Sequence, residues 1–433
     1  MLSMVEQANF KDFGFKAFAQ YSLFVLFVID IFFLGSGMNY AVMGLSTRKI
    51  IFLLFALVSI SIFIDRHNQY LVYSAIEVVV FLFFAAVWMV FLPIIERGRL
   101  AGSFADALPL VAIAIFIVTK DFSLCNSGWK NIRRLISHII ILFSFLHVFL
   151  YAVFWLRPDL IEYISGALKL FWEPAAFDTE YFVFLTPLDG GLQRIYFGSS
   201  FLLLLGMYFA FEKVNPLINT YKGRFVVFSL MVFALWVTNT RSLLFGAFIF
   251  VSFHFFLKNF LKLVPKNVAG IFFLVVIPFF LSFLLVPTID PQMLSIVGID
   301  REGSDDLRYE QLMPLVEGFL ESPFFGRGFG GSVQFIRSED APYSYELSIV
   351  ALFMKIGLLG FTFSSLILTA LIYRSIPRSL KAFPEKIVNI YALYFSYILS
   401  CFYNPYMFGL FGTFLSLFLL YEFSFLMRAS RDD

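Results

Sequence analysis

Long apolar runs, broken by short polar or proline- and glycine-bearing stretches, dominate this chain. A helix needs roughly 20 apolar residues to cross a bilayer. Runs close to that length fall at 15–35, 50–64, 71–93, 107–119, 135–156, 195–211, 224–240, 242–257, 268–286, 345–373, 387–403 and 406–427. The pattern predicts an all-α fold, a polytopic membrane helical bundle of about twelve transmembrane helices. It is expected to form a single integral membrane domain over residues 1–433. Two long polar segments interrupt the pattern, 157–194 and 287–344. The second, between helices nine and ten, is the largest hydrophilic stretch of the chain.

Composition agrees with that class: 60% of the 433 residues are hydrophobic and 14% charged, with a mean hydropathy of +0.85. A formal net charge of +2 gives no reason to expect nucleic acid. The informative quantity is where Lys and Arg fall relative to the spans. With the N-terminus in the cytoplasm, the inside segments collect 19 Lys and Arg and the outside ones 12 over much longer loops. Both termini are therefore expected to be cytoplasmic, with 157–194 and 287–344 facing outward. The first three loops alone run against this rule, with Arg48, Lys49, Arg97 and Arg99 outside and Arg66 inside. Cys125 and Cys401 are too far apart in sequence to read as a disulfide framework. Neither they nor His67, His138, His147 and His254 show metal-ligand spacing, so no metal or cofactor is expected. The N-terminus lacks a short basic-flanked apolar region with a small-residue cleavage site, and the first apolar run is expected to stay as a span.

The first outer segment mixes aromatics with acids: Phe171, Trp172, Glu173, Phe177, Asp178, Glu180, Tyr181, Phe182 and Asp189. It reads either as an interfacial helix with Trp and Tyr at headgroup depth or as stacking platforms and hydroxyl-binding carboxylates for a sugar. In the second segment Ser304, followed by Asp305 and Asp306, predicts a helix start. Leu312, Leu315, Val316, Phe319 and Leu320 then share one helical face and Glu310, Glu317 and Glu321 another, which predicts an amphipathic element lying on the bundle, bent or restarted at Pro314. Gly326, Gly328, Gly330 and Gly331 follow, where missing side chains let backbone come close to a neighbour. The strand and helix that a dinucleotide fingerprint needs are missing around them. No repeat of 20–50 residues is evident and the two halves do not mirror one another, which counts against a transporter of inverted repeats.

A charge at membrane depth costs about 2.5–3.5 kcal/mol on insertion scales and asks for a reason. Arg241 sits between two apolar runs with almost no loop around it. It reads as a snorkelling arginine at a helix end or as a forked cation that grips a phosphate in an outer cavity. Arg308, Arg327 and Arg337 lie on the same predicted side, as solvated loop charges or as further members of one anionic site. Glu346 is expected to open the tenth helix, where an acid matches the helix dipole. With Tyr343 and Tyr345 beside it, the same carboxylate can be a base for a hydroxyl. Lys355, nine residues on, lies about half a turn round from Glu346 and must meet a different neighbour. Asp30 and Glu77 are read as polar contacts between helices.

Taken in order, these residues resemble a known family. Thr238-Asn239-Thr240-Arg241, the Asp306-Leu307-Arg308 start of a large outer loop, Ser322-Pro323-Phe324-Phe325-Gly326-Arg327-Gly328-Phe329-Gly330, and a polar dipeptide leading a helix with Lys355-Ile356-Gly357-Leu358-Leu359-Gly360 resemble the bacterial O-antigen polymerase and O-antigen ligase superfamily. The likeness covers about 238–360 and elsewhere rests on the number of spans. It implies an inverting glycosyltransferase of the bacterial inner membrane, with a periplasmic site for undecaprenyl-pyrophosphate-linked oligosaccharide. Arg241 matches the arginine of the family's Ser-Arg-Gly, with Ser242 in place of the glycine, and Arg308 matches the one that opens the big loop. Where many members have His-Asn eleven residues before the glycine matched by Gly357, this chain has Glu346-Leu347, so a glutamate must serve as base or the base lies elsewhere.

The chemistry fits these residue types. Pyrophosphate is a good leaving group, and Arg241 and Arg308, with Arg327 and Arg337, can stabilise the charge developing on it without a metal. Glu346 would take the proton of an acceptor hydroxyl, and Tyr343 and Tyr345 would contact substrate. The leading expectation is a polymerase that transfers a growing lipid-linked glycan to the non-reducing end of a lipid-linked repeat unit. The rivals are a ligase with a lipid A core acceptor and a flippase or other transporter without catalysis. The resemblance also implies a separate chain-length regulator as partner.

Overall fold

A computed structural model describes residues 2–33, 41–42, 45–65, 79–95, 100–107, 110, 127–164, 166, 183–187, 193–212, 220–260, 302–336, 342–375, 385–401 and 410–432. Over these the chain is mostly helical with almost no strand. In chain order come α1 (Leu2–Phe33), β1 (Ala41–Val42), β2 (Leu45–Ser46), α2 (Thr47–Asp65), α3 (Val79–Ile95), α4 (Leu100–Asp106) and α5 (Ser127–Leu156). They are followed by β3 (Val183–Pro187), β4 (Gln193–Phe197), α6 (Gly198–Phe211), α7 (Tyr221–Val237) and α8 (Arg241–Phe260). The last are α9 (Glu302–Glu321), α10 (Ser348–Ser375), α11 (Glu385–Ser400) and α12 (Leu410–Asp432).

Most of the expected spans coincide with helices. The expected span 268–286 and nearly all of 107–119 lie outside the described residues, as do Glu77, Cys125, His67 and the aromatic and acidic residues 171–182 and 189 of the first polar segment. Where 195–211 was expected to be a helix throughout, Ile195, Tyr196 and Phe197 complete an antiparallel ribbon in which Val183 pairs with Phe197 and Pro187 with Gln193. β-branched and aromatic residues fit such a pleated surface, and the helix begins only at Gly198. Among the described residues α5 alone holds a stretch long and apolar enough to cross a membrane, Trp129–Leu156. Seven further apolar helices of 10–17 residues accompany it. On α5 the buried Ile136, Ile140, Phe143 and Leu150 alternate with the exposed Leu142, Phe145 and Phe149. A helix apolar on both its faces suits lipid on the outside.

The chain divides into two compact units, Met1–Ser74 with Ile115–Ala247, and Ala75–Ala114 with Phe248–Asp433. The first is built around α5, against which α1, α6 and α7 pack. Its interior is aromatic: the Phe24 ring lies 5.6 Å from that of Phe55 and 6.0 Å from Trp129. Some of the polar groups inside it are paired with one another. His147 accepts through Nε2 from the Ser200 hydroxyl at 2.8 Å while its Nδ1–H donates to the Phe143 carbonyl at 2.8 Å. Arg133 meets Glu212 at 3.4 Å.

The second unit gathers α3, α4, α9, α10, α11 and α12. Its core has two apolar clusters, one around Phe84, Trp88 and Ile356 and the other around Leu315, Val333, Tyr345 and Met354. Helix α9 starts at Glu302, so Ser304 stands inside the helix and does not cap it. It runs through Pro314 as one continuous helix and does not restart there. Leu315 is the fully buried member of its apolar face, with Leu312 and Phe319 packed partly beside it, while Leu320 is exposed.

Candidate active site

The second unit is organised around a break in a helix. Within α10, Gly357 adopts φ 60°, ψ −173°, a region open essentially only to glycine. The turn there cannot close its own ladder, and the segment after α9 replaces it. The Arg327 and Gly328 amides donate to the Met354 and Lys355 carbonyls at 3.0 and 2.8 Å, and the Leu358 and Leu359 amides donate to the Pro323 and Phe324 carbonyls at 2.8 and 2.9 Å. The two chains come so close that a side chain at Gly326 or Gly357 would collide with the other's backbone.

Helix α3 clamps the same loop. Its residues Ala86–Phe91 form a π turn, which frees carbonyls for outside partners. The Trp88 carbonyl accepts from the Phe329 amide at 2.8 Å, and the indole Nε1 donates to the Phe325 and Ile356 carbonyls at 2.8 and 3.0 Å. Burying the Trp88 ring against Phe84, stacked at 4.6 Å, adds about 2–3 kcal/mol of apolar stabilisation. The glycine-rich loop therefore brings its backbone close to protein: several of its amides are spent on carbonyls of α3 and α10.

Glu346 stands in the turn that leads into α10. The helix begins at Ser348, so Glu346 lies two residues before it and not on its first turn. Two residues of α9, one turn apart, hold it. The Arg308 guanidinium meets its carboxylate at 2.9 Å, and Gln311 accepts from its backbone amide at 2.9 Å. Because that amide proton needs an oxygen, the orientation of the Gln311 side chain is fixed, and its buried Nε2 donor has no hydrogen-bond partner among the described residues. The Arg308 and Glu346 side chains keep 22% and 12% exposure.

The remaining expected site residues separate by role. Arg327 donates to the Ser332 carbonyl at 2.9 Å and pairs with Glu321, which stiffens the loop locally. Tyr345 is buried, its hydroxyl accepts from the Val333 amide at 2.8 Å, and burial pushes the phenol up to about 12. It supports the turn from inside and has no open face for a substrate. Tyr343 is half-buried and rests beside Gly102. Burial, with the Asp106 carboxylate adding to it, raises its phenol. Arg337 lies outside the described residues.

Arg241 opens α8 in the first unit, straight after a corner where Asn239 takes φ 44°. Asparagine is among the few residues that tolerate that conformation. Arg194 of β4 fixes the corner, with Nε donating to the Thr238 carbonyl at 3.0 Å, a terminal nitrogen donating to the Thr240 hydroxyl at 3.3 Å, and its guanidinium 5.2 Å from the Tyr196 ring.

No family model and no curated protein matches this chain. The functional argument rests on the residues themselves.

Sequence reasoning missed Gln311, Asp106 and Trp88. Gln311 carried a signal, a polar residue three places after Arg308 on the face otherwise used for packing. Asp106 carried one too: a lysine in an apolar helix calls for an acid elsewhere, and Lys355 finds it there at 2.6 Å.

Proposed function

We propose that this chain is an O-antigen type polysaccharide polymerase, an inverting glycosyltransferase that moves a growing undecaprenyl-pyrophosphate-linked glycan onto the non-reducing end of a lipid-linked repeat unit. In this reading it is a twelve-span protein of the bacterial inner membrane with both termini cytoplasmic and its site periplasmic. A separate chain-length regulator is its partner. The observation that carries the reading is the Arg308–Glu346 pair at 2.9 Å, in the segment where the family likeness is strongest.

The acceptor hydroxyl attacks the anomeric carbon from the side opposite the pyrophosphate. The new C–O bond forms as the old one breaks, undecaprenyl pyrophosphate leaves with the bonding pair, and the hydroxyl proton passes to the Glu346 carboxylate and from there to water. Configuration inverts. A pyrophosphate carries more charge than a carboxylate and suits the planar guanidinium fork. Its arrival draws Arg308 away from Glu346, and the carboxylate becomes available as base only when a donor is bound. Gln311, with its Nε2 donor unspent, supplies a hydrogen bond to a substrate oxygen.

The test is a reaction of purified protein with its lipid-linked repeat unit as sole substrate, EDTA present, resolved on a gel beside Glu346→Gln. A ladder from the wild type that disappears in the variant supports a metal-independent polymerase with Glu346 as base. Intact substrate with folded wild-type protein rejects it and moves the reading to a ligase, to be tried with a lipid A core acceptor, and then to a transporter.

A further inference from the structure

One buried ion pair ties together the segments that carry the site. Lys355 Nζ lies 2.6 Å from Asp106 Oδ1, and the two side chains are 0% and 1% exposed. Each partner also binds backbone. Lys355 donates to the Tyr343 carbonyl at 2.8 Å, and Asp106 Oδ2 accepts from the Gly330 amide at 2.8 Å. The lysine lies 5.8 Å from the Tyr345 ring. One turn before Asp106, Gly102 leaves room for the Tyr343 ring, which a methyl group there would approach to 3.1 Å.

Such a pair is a poor device for stability alone, because desolvating two charges offsets much of their attraction and a well-packed apolar pair does as well or better. What an apolar pair cannot do is hold a carbonyl and an amide in place. Lys355 on the Tyr343 carbonyl is a first pin of the turn before α10, beside the Tyr345 hydroxyl on the Val333 amide and Gln311 on the Glu346 amide. The first pin and the seat of the glycine loop both depend on Asp106 and Lys355.

We propose that Asp106 and Lys355 are positioning residues, which set the Tyr343–Glu346 turn and the Gly330 loop so that the Glu346 carboxylate meets Arg308 in register. The inference rests on the reading of Glu346 and Arg308 given above. Neither residue touches substrate. Both act through the backbone they hold.

The experiment compares wild type, Asp106→Asn and the double variant Asp106→Leu/Lys355→Met in detergent or nanodiscs. It reads thermal midpoint, amide exchange at Gly330 and Glu346 relative to α5, and kcat and donor KM for polymerisation. Asp106→Asn is expected to lower the midpoint and speed exchange at both amides. The double variant is expected to recover the midpoint while exchange at both amides stays fast and kcat stays roughly a hundredfold down, with donor KM unchanged. Recovery of kcat and slow exchange together with the midpoint would make the pair mere filling and overturn the proposal. So would unchanged exchange at both amides in Asp106→Asn, which keeps the volume and serves as the reference if the double variant does not fold. A wild type that makes no polymer removes the proposed function, and the exchange pattern then decides the positioning by itself.

Discussion

Two ion pairs of the second unit, Arg308–Glu346 and Asp106–Lys355, are of opposite character. Arg308 and Glu346 keep part of their surface in contact with solvent, whereas Asp106 and Lys355 have none. A partly exposed pair can exchange partners at modest cost, since water and an incoming anion replace what is lost. A fully buried pair cannot part without leaving a charge stranded in a low-dielectric interior. One is suited to respond to a ligand and the other to stay fixed while that happens.

The largest effect expected from breaking this contrast is on the buried side. Lys355→Met leaves the Asp106 carboxylate without its cation, and stability should fall by about 3–5 kcal/mol, measured by denaturant or thermal unfolding in detergent; a loss under 1 kcal/mol would contradict the assignment. Gly357→Ala comes next. It imposes a side chain on a left-handed backbone and drives it into the Phe324 carbonyl, so a loss of about 1–3 kcal/mol from conformation alone is expected, with the clash adding to it. Unchanged stability in that variant would mean that α10 closes its ladder without the loop. Trp88→Phe keeps most of the ring but removes the donor to two carbonyls, with an expected loss of about 1–2 kcal/mol by the same measurement. Arg308→Ala should cost the fold least, about 1 kcal/mol, yet reduce polymerisation by roughly 10²–10³-fold. Equal losses of stability for Arg308→Ala and Lys355→Met would erase the distinction between the two pairs.

The helices were legible because an apolar run of about 20 residues has few other solutions. Boundaries were less so, and the reason differs from place to place. At 195–197 the residues suit a strand as well as a helix, and pairing with 183–187 decided the matter. Pro314 was expected to bend or restart α9, and the helix continues through it without a restart. At the site, Arg308 was legible through the family resemblance and Glu346 from its place at the mouth of the tenth helix, but their pairing was not, since 37 residues of loop and helix lie between them. The glycine run was recognised as a place of close approach. Its partners, the π turn of α3 and the break at Gly357, are backbone conformations that depend on each other, and no residue type announces them. Lys355 was seen to face away from Glu346, and the structure supplies the acid, Asp106, that it turns to meet.

The π turn at Ala86–Phe91 has a consequence for the length of the chain. A π turn takes up one residue more than the α-helical path through the same space, so α3 is, in effect, one residue longer than a regular helix there. Deleting a single residue between Ala86 and Phe91 would close the wide turn into a regular α turn and leave the helix on either side of it nearly in phase. The Trp88 carbonyl would then return to its own helix instead of serving the Phe329 amide. A deletion of one residue in this stretch should therefore behave as a lesion of the distant glycine loop, while one of the same size in an exposed polar segment passes unnoticed.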